Sequence, residues 1–394
     1  MSNSTHRVEV VPIVLEPHKN ADSLSVVNVF GGYSCVVRTE DWRGVALGAY
    51  IPPDSVVDTR RPEFAFLAEH AKSDGTHRIK AEKRRGIVSF GMLVKLPPPE
   101  VAAADIGDDC AHWFGVTHYE PPAPNQQGRG SLITGGEAAK GPNLMAPKYD
   151  LEAFRRYHSL FEPGEPVFIT EKLHGCSAKY VYSGGKMHCG SRAEWKKEYP
   201  CYDHVTMDWL RGQESMRKRD EMGVLTDVVD EEKCQKLFDK LHNGQKPRNL
   251  WWNALDATPG LVEWCQANPD IIVYGEVFGN VQSLRYGATN NRPLMFAAFD
   301  LLQGGRWLNA MEAFEAAMWN QENVEGLRWA PILQSNVPYS FELVAENADG
   351  PSTWPDANHY REGCVVKPMT ERYDARLGRV CLKCVGATYL EKEK

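Results

Sequence analysis

A proline-rich interruption divides this chain in two. Between Pro97 and Pro147 the sequence carries Pro97-Pro98-Pro99, Pro121-Pro122-Ala123-Pro124 and Gly128-Arg129-Gly130, with few large apolar residues. Proline removes a backbone donor and fixes φ, so such a stretch suits neither a helix interior nor a central strand. It reads as an extended linker, partly disordered, spanning 97–147. The flanking units, 1–96 and 148–394, must then pack separately. At 394 residues the chain is long enough for two or three domains with buried cores.

Both units read as β-rich. In the first, Val8 to Leu15, Leu24 to Phe30, Tyr33 to Arg38 and Ile87 to Val94 are short apolar or alternating runs, and Gly31-Gly32 supplies a turn. Short strands with glycine turns predict a small barrel. The second unit opens with Asp150 as a candidate N-cap for a helix carrying Leu151, Phe154 and Tyr157. Val167-Phe168-Ile169-Thr170 is a strand. Ala178 to Tyr182, Ser183-Gly184-Gly185 and Lys186 to Cys189 predict a hairpin. Residues 201–270 are polar and mostly helical in pattern, with Cys234, Leu237 and Leu241 on one face. Further strands fall at Ile271 to Tyr274, Leu294 to Leu302, Cys364 to Lys367 and Val380 to Cys384. The expected class is α+β: a barrel followed by an antiparallel-sheet domain with helices.

Composition narrows the setting. Apolar content of 42% and charged content of 25% are ordinary for a globular protein. No apolar stretch reaches bilayer-spanning length, and Met1 to His6 lacks signal-peptide character, so an intracellular, cytoplasmic protein without membrane contact is expected. The ten cysteines are mostly scattered, as reduced thiols would be. Cys381-x-x-Cys384 lacks the second ligand pair that a zinc site needs. Net charge is −7, so any polynucleotide would have to meet a local positive surface. The run Arg78 to Arg85, with five cations and one anion, is either such a surface or a solvated charged face. Tyr33, Trp42 and Phe90 are candidates for base stacking, with the barrel core as the competing reading.

The segment Phe168-Ile169-Thr170-Glu171-Lys172-Leu173-His174-Gly175 places a lysine at a strand exit, beside a carboxylate and an imidazole and three residues before a glycine. A free lysine has a pKa near 10.4, so only about one in 2,500 is neutral at pH 7. Desolvation, neighbouring cations or a bound divalent metal favour the neutral nucleophile. Lys367 and Lys383 could serve as cationic neighbours and neutralise a developing phosphoryl charge.

With Gly190-Ser191-Arg192, Tyr274-Gly275-Glu276, Phe299-Asp300, Glu362 to Lys367 and Leu382-Lys383, this segment resembles, in order, the motif set of the covalent nucleotidyltransferases. Pro17 to Leu24 with Arg85 to Leu93 resembles the OB-fold tRNA-binding module of some aminoacyl-tRNA synthetases. An N-terminal OB module before a Lys-x-His-Gly adenylyltransferase domain resembles the fifth RNA ligase family. Nick-sealing DNA ligases and capping enzymes carry that module after the catalytic domain, and only residues 384–394 follow Lys383 here.

The resemblance implies an ATP-dependent RNA ligase using Mg²⁺ or Mn²⁺. Lys172 would capture AMP from ATP, pass it to a 5'-phosphate, and let a 3'-hydroxyl displace it. Glu171, Leu173, His174 and Gly175 would border the nucleotide, and Arg192 would contact it or the polynucleotide end. Phe299 would stack on adenine. Glu276 would hold the ribose or water around the metal and Glu362 would serve the catalytic metal, while Lys367 and Lys383 would contact the α-phosphate. The implied partner of this monomer is RNA or an RNA-containing nicked duplex, with a DNA strand as one option. Deleting 1–96 would spare AMP capture but weaken sealing.

Two positions depart from the wider pattern: His174 stands where DNA ligases and capping enzymes have Asp, and Cys381 where a second lysine often precedes the last. The alternatives are a GTP-dependent capping-type nucleotidyltransferase and a non-catalytic OB-fold RNA-binding protein.

Overall fold

Period-two alternation explains the architecture of the N-terminal unit. In a computed structural model, which describes residues 7–98, 103–119, 136–220, 225–244, 248–318 and 326–392, Leu47–Ile51 pairs antiparallel with both Glu9–Pro12 and Met92–Lys95. Val10, Ala49 and Ile51 point into one apolar core with Val57 and Phe64. Val11 and Tyr50, on the opposite face, pack with Val27, Val29 and Cys35. The strands Leu24–Val29 and Tyr33–Arg38 cover that second face. Cys35 Sγ, Tyr50 Oη and Ser34 Oγ donate to carbonyls of Phe90 and Val88, tying the sheets together. Trp42 is buried within the unit, and Phe90 is buried where the unit meets the rest of the chain.

The linker expectation needs correction. Cys110 and Phe114 are fully buried in the barrel core, and Thr117–His118 pairs with the strand Ser55–Asp58. The barrel therefore extends to residue 119, because these few apolar side chains anchor an otherwise polar segment. Residues beyond 136 belong to the second unit: Ala138 bridges Lys196, and Leu144, Ala146 and Tyr149 pack on its sheet. The stretch 120–135, part of the expected disorder, lies outside the described residues.

The second unit is built on two large sheets, beside two-stranded hairpins. A six-stranded sheet runs Trp195–Lys196, Lys186–Ser191, Cys176–Ser183, Ile271–Gly279, Leu294–Gln303, Arg306–Trp307. A five-stranded sheet runs Glu152–Ala153, Leu382–Val385, Gly363–Pro368, Pro166–Lys172, Ile332–Pro338. The expected hairpin is present, with Ala178 opposite Ser191. The named strand pairs are antiparallel except Glu152–Ala153 with Leu382–Val385. That long-range pairing holds residues 152 and 153 extended, so the helix is only Phe154–Tyr157, and its N-cap is Ala153, not Asp150.

Helices Leu250–Asp256, Leu261–Ala267 and Ala310–Met318 cover the six-stranded sheet, and Phe341–Ala348 covers the five-stranded one. Between 201 and 249, Asp230 caps Glu231–His242 by accepting from Lys233 N, and Cys234 and Leu241 are buried. A hairpin, Arg217–Arg219 with Leu225–Val229, interrupts that helical region.

The barrel is seated directly on the second unit. Arg155 and Arg156 lie over the Phe90 and Phe30 rings at 4.4 and 4.2 Å, and Arg156 also pairs with Glu9. Phe90 and Ala81 share one apolar cluster with Leu173, Phe278, Tyr286 and Tyr389. A Cβ at Gly32 would lie 2.0 Å from the Arg155 carbonyl oxygen, so only glycine permits this approach.

Candidate active site

The same alternation aims the chemistry. On Pro166–Lys172, Val167 and Ile169 face a helix-covered core, and parity sends Lys172 to the other face. Cys364 and Val366 join that core, leaving Val365 and Lys367 on the Lys172 side; Leu382 and Cys384 likewise leave Lys383 there. The opposing sheet contributes Glu276 and Phe299. These residues line one cavity of about 190 Å³.

At its base Lys172 Nζ donates to Glu362 Oε1 at 2.6 Å, and His174 Nδ1 lies 3.2 Å from Glu362 Oε2. His174 is clamped from three further sides. Its backbone N–H donates to Tyr286 Oη at 2.8 Å, Nε2 meets Ser283 Oγ at 3.1 Å, and Tyr389 Oη lies 3.3 Å from Nδ1. Gly175 has no room for a side chain: a Cβ would sit 2.1 Å from the Val277 carbonyl oxygen.

The two carboxylates are driven apart electrostatically. Burial alone would raise both. For Glu362 the Lys172 charge and the His174 contact outweigh it and hold the carboxyl at about 2. For Glu276 burial prevails, helped by the Glu362 charge and opposed by Lys172, and the carboxyl rises to about 8. Burial and the nearby Lys172 charge lower the pKa of Lys383.

The predicted site residues thus converge, with different partners in several cases. Lys367 is buried and pairs with Asp300 at 3.1 Å. Phe299 packs on Tyr149 with ring centroids 4.7 Å apart. Leu173 lines the cavity but is also a core residue. Arg192 is half-exposed, pairs with Asp150 at 3.0 Å, and stands between this cavity and a second of about 250 Å³ under the barrel. Glu171, opposite in parity to Lys172, gives both carboxylate oxygens to the loop beyond: Ser352 Oγ donates at 2.5 Å, Thr353 N at 2.7 Å and Thr353 Oγ1 at 2.9 Å. Tyr149, Ser283, Tyr286 and Tyr389 also belong to the site, but as single residues from distant segments they carry no spacing signal in the sequence.

Glu276 and Glu362 offer the hard oxygen donors that Mg²⁺ or Mn²⁺ prefer. Among the described residues no three His, Cys, Asp or Glu side chains form a preformed metal cluster. Two carboxylates completed by water and phosphate oxygens suit a metal that enters with its nucleotide.

A family model for RNA ligase matches residues 165–385, more than half of the chain. The chain belongs to the RNA ligase family. A model for an OB-fold domain matches residues 6–96, in agreement with the barrel. The chain is therefore an RNA ligase enzyme with an N-terminal OB module. No curated protein matches it. Among solved structures it resembles Naegleria gruberi RNA ligase. An arginine-to-alanine variant of that protein with ATP and Mn is 20% identical, with 98% of this chain and 99% of that one covered and a TM-score of 0.68. A glutamate-to-alanine variant with ATP and Mn is 19% identical, with 98% of each covered and a TM-score of 0.68. The form with PPi is 20% identical, with 98% of each covered and a TM-score of 0.67. At this identity the likeness establishes the fold. No described helix is long and apolar enough to cross a membrane.

Proposed function

We propose that this RNA ligase is ATP-dependent and seals 3'-hydroxyl and 5'-phosphate ends through a lysyl-AMP intermediate on Lys172. The observation that carries the reading is the convergence of Lys172, paired with Glu362, and of Lys367 and Lys383 on a cavity that also holds Glu276 and Phe299. Three cations around one small cavity match a phosphate group, and an aromatic face beside them matches a base. The Naegleria enzyme, in forms holding ATP and Mn, supports ATP as the nucleotide and a divalent metal as its companion.

In this reading, Lys172 is held as an ammonium by Glu362 until the nucleotide arrives. A metal at Glu362 and Glu276 would withdraw that counter-charge and favour the neutral amine. Lys172 Nζ, its first proton lost to water, then attacks the α-phosphorus; the bond to the bridging oxygen breaks, pyrophosphate leaves with its electron pair, and the new phosphoramidate nitrogen gives its extra proton to solvent. Lys367 and Lys383 stabilise charge on the phosphoryl oxygens. His174, fixed by Ser283, Tyr286 and Tyr389, keeps Glu362 oriented. Arg192, at the junction with the cavity under the barrel, is suited to the polynucleotide end. The acceptor is RNA or an RNA-containing nicked duplex, with a DNA strand as one option, and the enzyme acts as a monomer. Ten cysteines without a disulfide support a reducing, cytoplasmic setting.

Incubation with α-labelled ATP or GTP and Mg²⁺ or Mn²⁺, followed by denaturation, tests the reading. Label from ATP that Lys172→Ala abolishes is expected. Label from GTP would favour a capping enzyme, absence of label a binding protein, and label retained by Lys172→Ala would remove the nucleophile assigned here.

A further inference from the structure

Cys381 leaves the phosphate end of the site one cation short of the Lys-x-Lys pattern, and the structure contains a compensating charge. Arg379, two residues earlier, is largely buried behind the cavity. Its Nη2 lies 2.8 Å from Asp300 Oδ2, and its Nε donates to Glu371 Oε2 at 2.8 Å. Its guanidinium lies 4.2 Å from the centroid of the Trp307 ring. Asp300 is fully buried and also receives Lys367 on Oδ1 at 3.1 Å and the Tyr149 hydroxyl on Oδ2 at 2.8 Å. Two carboxylates, Asp300 and Glu371, therefore balance two cations, Lys367 and Arg379. Cys381 Sγ lies in the same nest, 3.6 Å from Tyr149 Oη.

A buried carboxylate with one cationic partner holds that partner tightly, since separation would leave two unpaired charges in a low dielectric. With a second cation on Asp300, Lys367 can turn away at a smaller cost, because Arg379, although shared with Glu371, stays bonded to the carboxylate that Lys367 leaves. We propose that Arg379 is a positioning residue for Lys367: by sharing Asp300 it frees the Lys367 ammonium to turn toward the α-phosphate. Arg379 thereby supplies the charge that a lysine at position 381 would provide. This inference rests on the lysyl-AMP reading above.

The test compares Arg379→Met with Arg379→Met/Asp300→Asn, following lysyl-AMP formation against ATP concentration. The single variant should lose at least about tenfold in maximal rate with little change in KM, because Lys367 is drawn onto Asp300. Removing the carboxylate as well should restore most of that rate, whereas a merely structural brace would leave the double variant slower than the single. A folded double variant no faster than the single overturns the proposal.

Should Arg379→Met not fold, Arg379→Lys takes its place. It keeps the charge on Asp300 and should label within about threefold of wild type, and a rate as low as that of Lys367→Ala overturns the idea. Unlabelled wild-type protein would sink the lysyl-AMP reading itself. The positioning claim would then be judged by the crystal structure of Arg379→Met, or of Arg379→Gln if the methionine variant does not fold. Lys367 Nζ bonded to both Asp300 oxygens supports the claim; an unmoved Lys367 refutes it.

Discussion

Glu276 should cost the enzyme stability at neutral and alkaline pH. Its carboxyl is raised from 4.5 to about 8 in the folded protein, first by burial and then by the Glu362 charge. A raised carboxyl binds its proton more tightly in the native state. The penalty is therefore absent below the unfolded value, grows as pH rises from 4.5, and is complete above about 8. At 1.36 kcal/mol per pH unit that span of 3.5 corresponds to about 5 kcal/mol. The side chain opens on the cavity, so screening should leave about 2–3 kcal/mol. Glu276→Gln, which keeps the shape and removes the charge, should then be about 2–3 kcal/mol more stable than wild type at pH 9 and no different near pH 4. Urea unfolding at pH 4, 7 and 9 measures this directly. Lysyl-AMP formation should collapse in the same variant, a loss of function with a gain in stability. A variant less stable than wild type at pH 9, or an advantage that does not grow with pH, would refute the electrostatic account.

Three further outcomes are expected. Glu171→Ala should cost about 3 kcal/mol, because it strips three hydrogen bonds to a buried carboxylate and leaves Thr353 N unpaired; unchanged denaturant stability with a raised KM for ATP would instead assign this cavity-lining residue to the nucleotide. A fragment ending at residue 96 should show more exposed hydrophobic surface by dye binding than one ending at 119, since Cys110 and Phe114 complete one face of the barrel core. Gly32→Ala should loosen the barrel from the second unit, because its Cβ would meet the Arg155 carbonyl oxygen at 2.0 Å; faster proteolysis between the units would report this.

The shared core argues against the separability expected from the sequence. Phe90 and Ala81 pack in one cluster with Leu173 and Tyr389, the neighbours of Lys172 and His174. Deleting the barrel should therefore slow AMP capture as well as sealing. The linker misled because its proline content is a local signal, whereas the anchoring of Cys110 and Phe114 depends on a core built by residues 8–96. The same limit governs Asp150. Its capping chemistry was sound, but the parallel pairing of Glu152 with Leu382 is a contact across more than half of the chain and overrides it.

What was legible is what period two can carry. Alternation on three strands puts Lys172, Lys367 and Lys383 on one face, and the motif order supplies the opposing Glu276 and Phe299. Parity also sends the Glu171 carboxylate to the side opposite Lys172, since adjacent strand residues face opposite sides of a sheet, while the residue itself still lines the cavity. The charge balance behind the cavity was only half legible. Cys381 showed that a cation was missing but not where its replacement would come from, because a guanidinium can reach Asp300 from a neighbouring hairpin whose geometry no motif encodes. On the proposal made above, the missing lysine is a displaced charge: Arg379, not residue 381, completes the balance around Asp300.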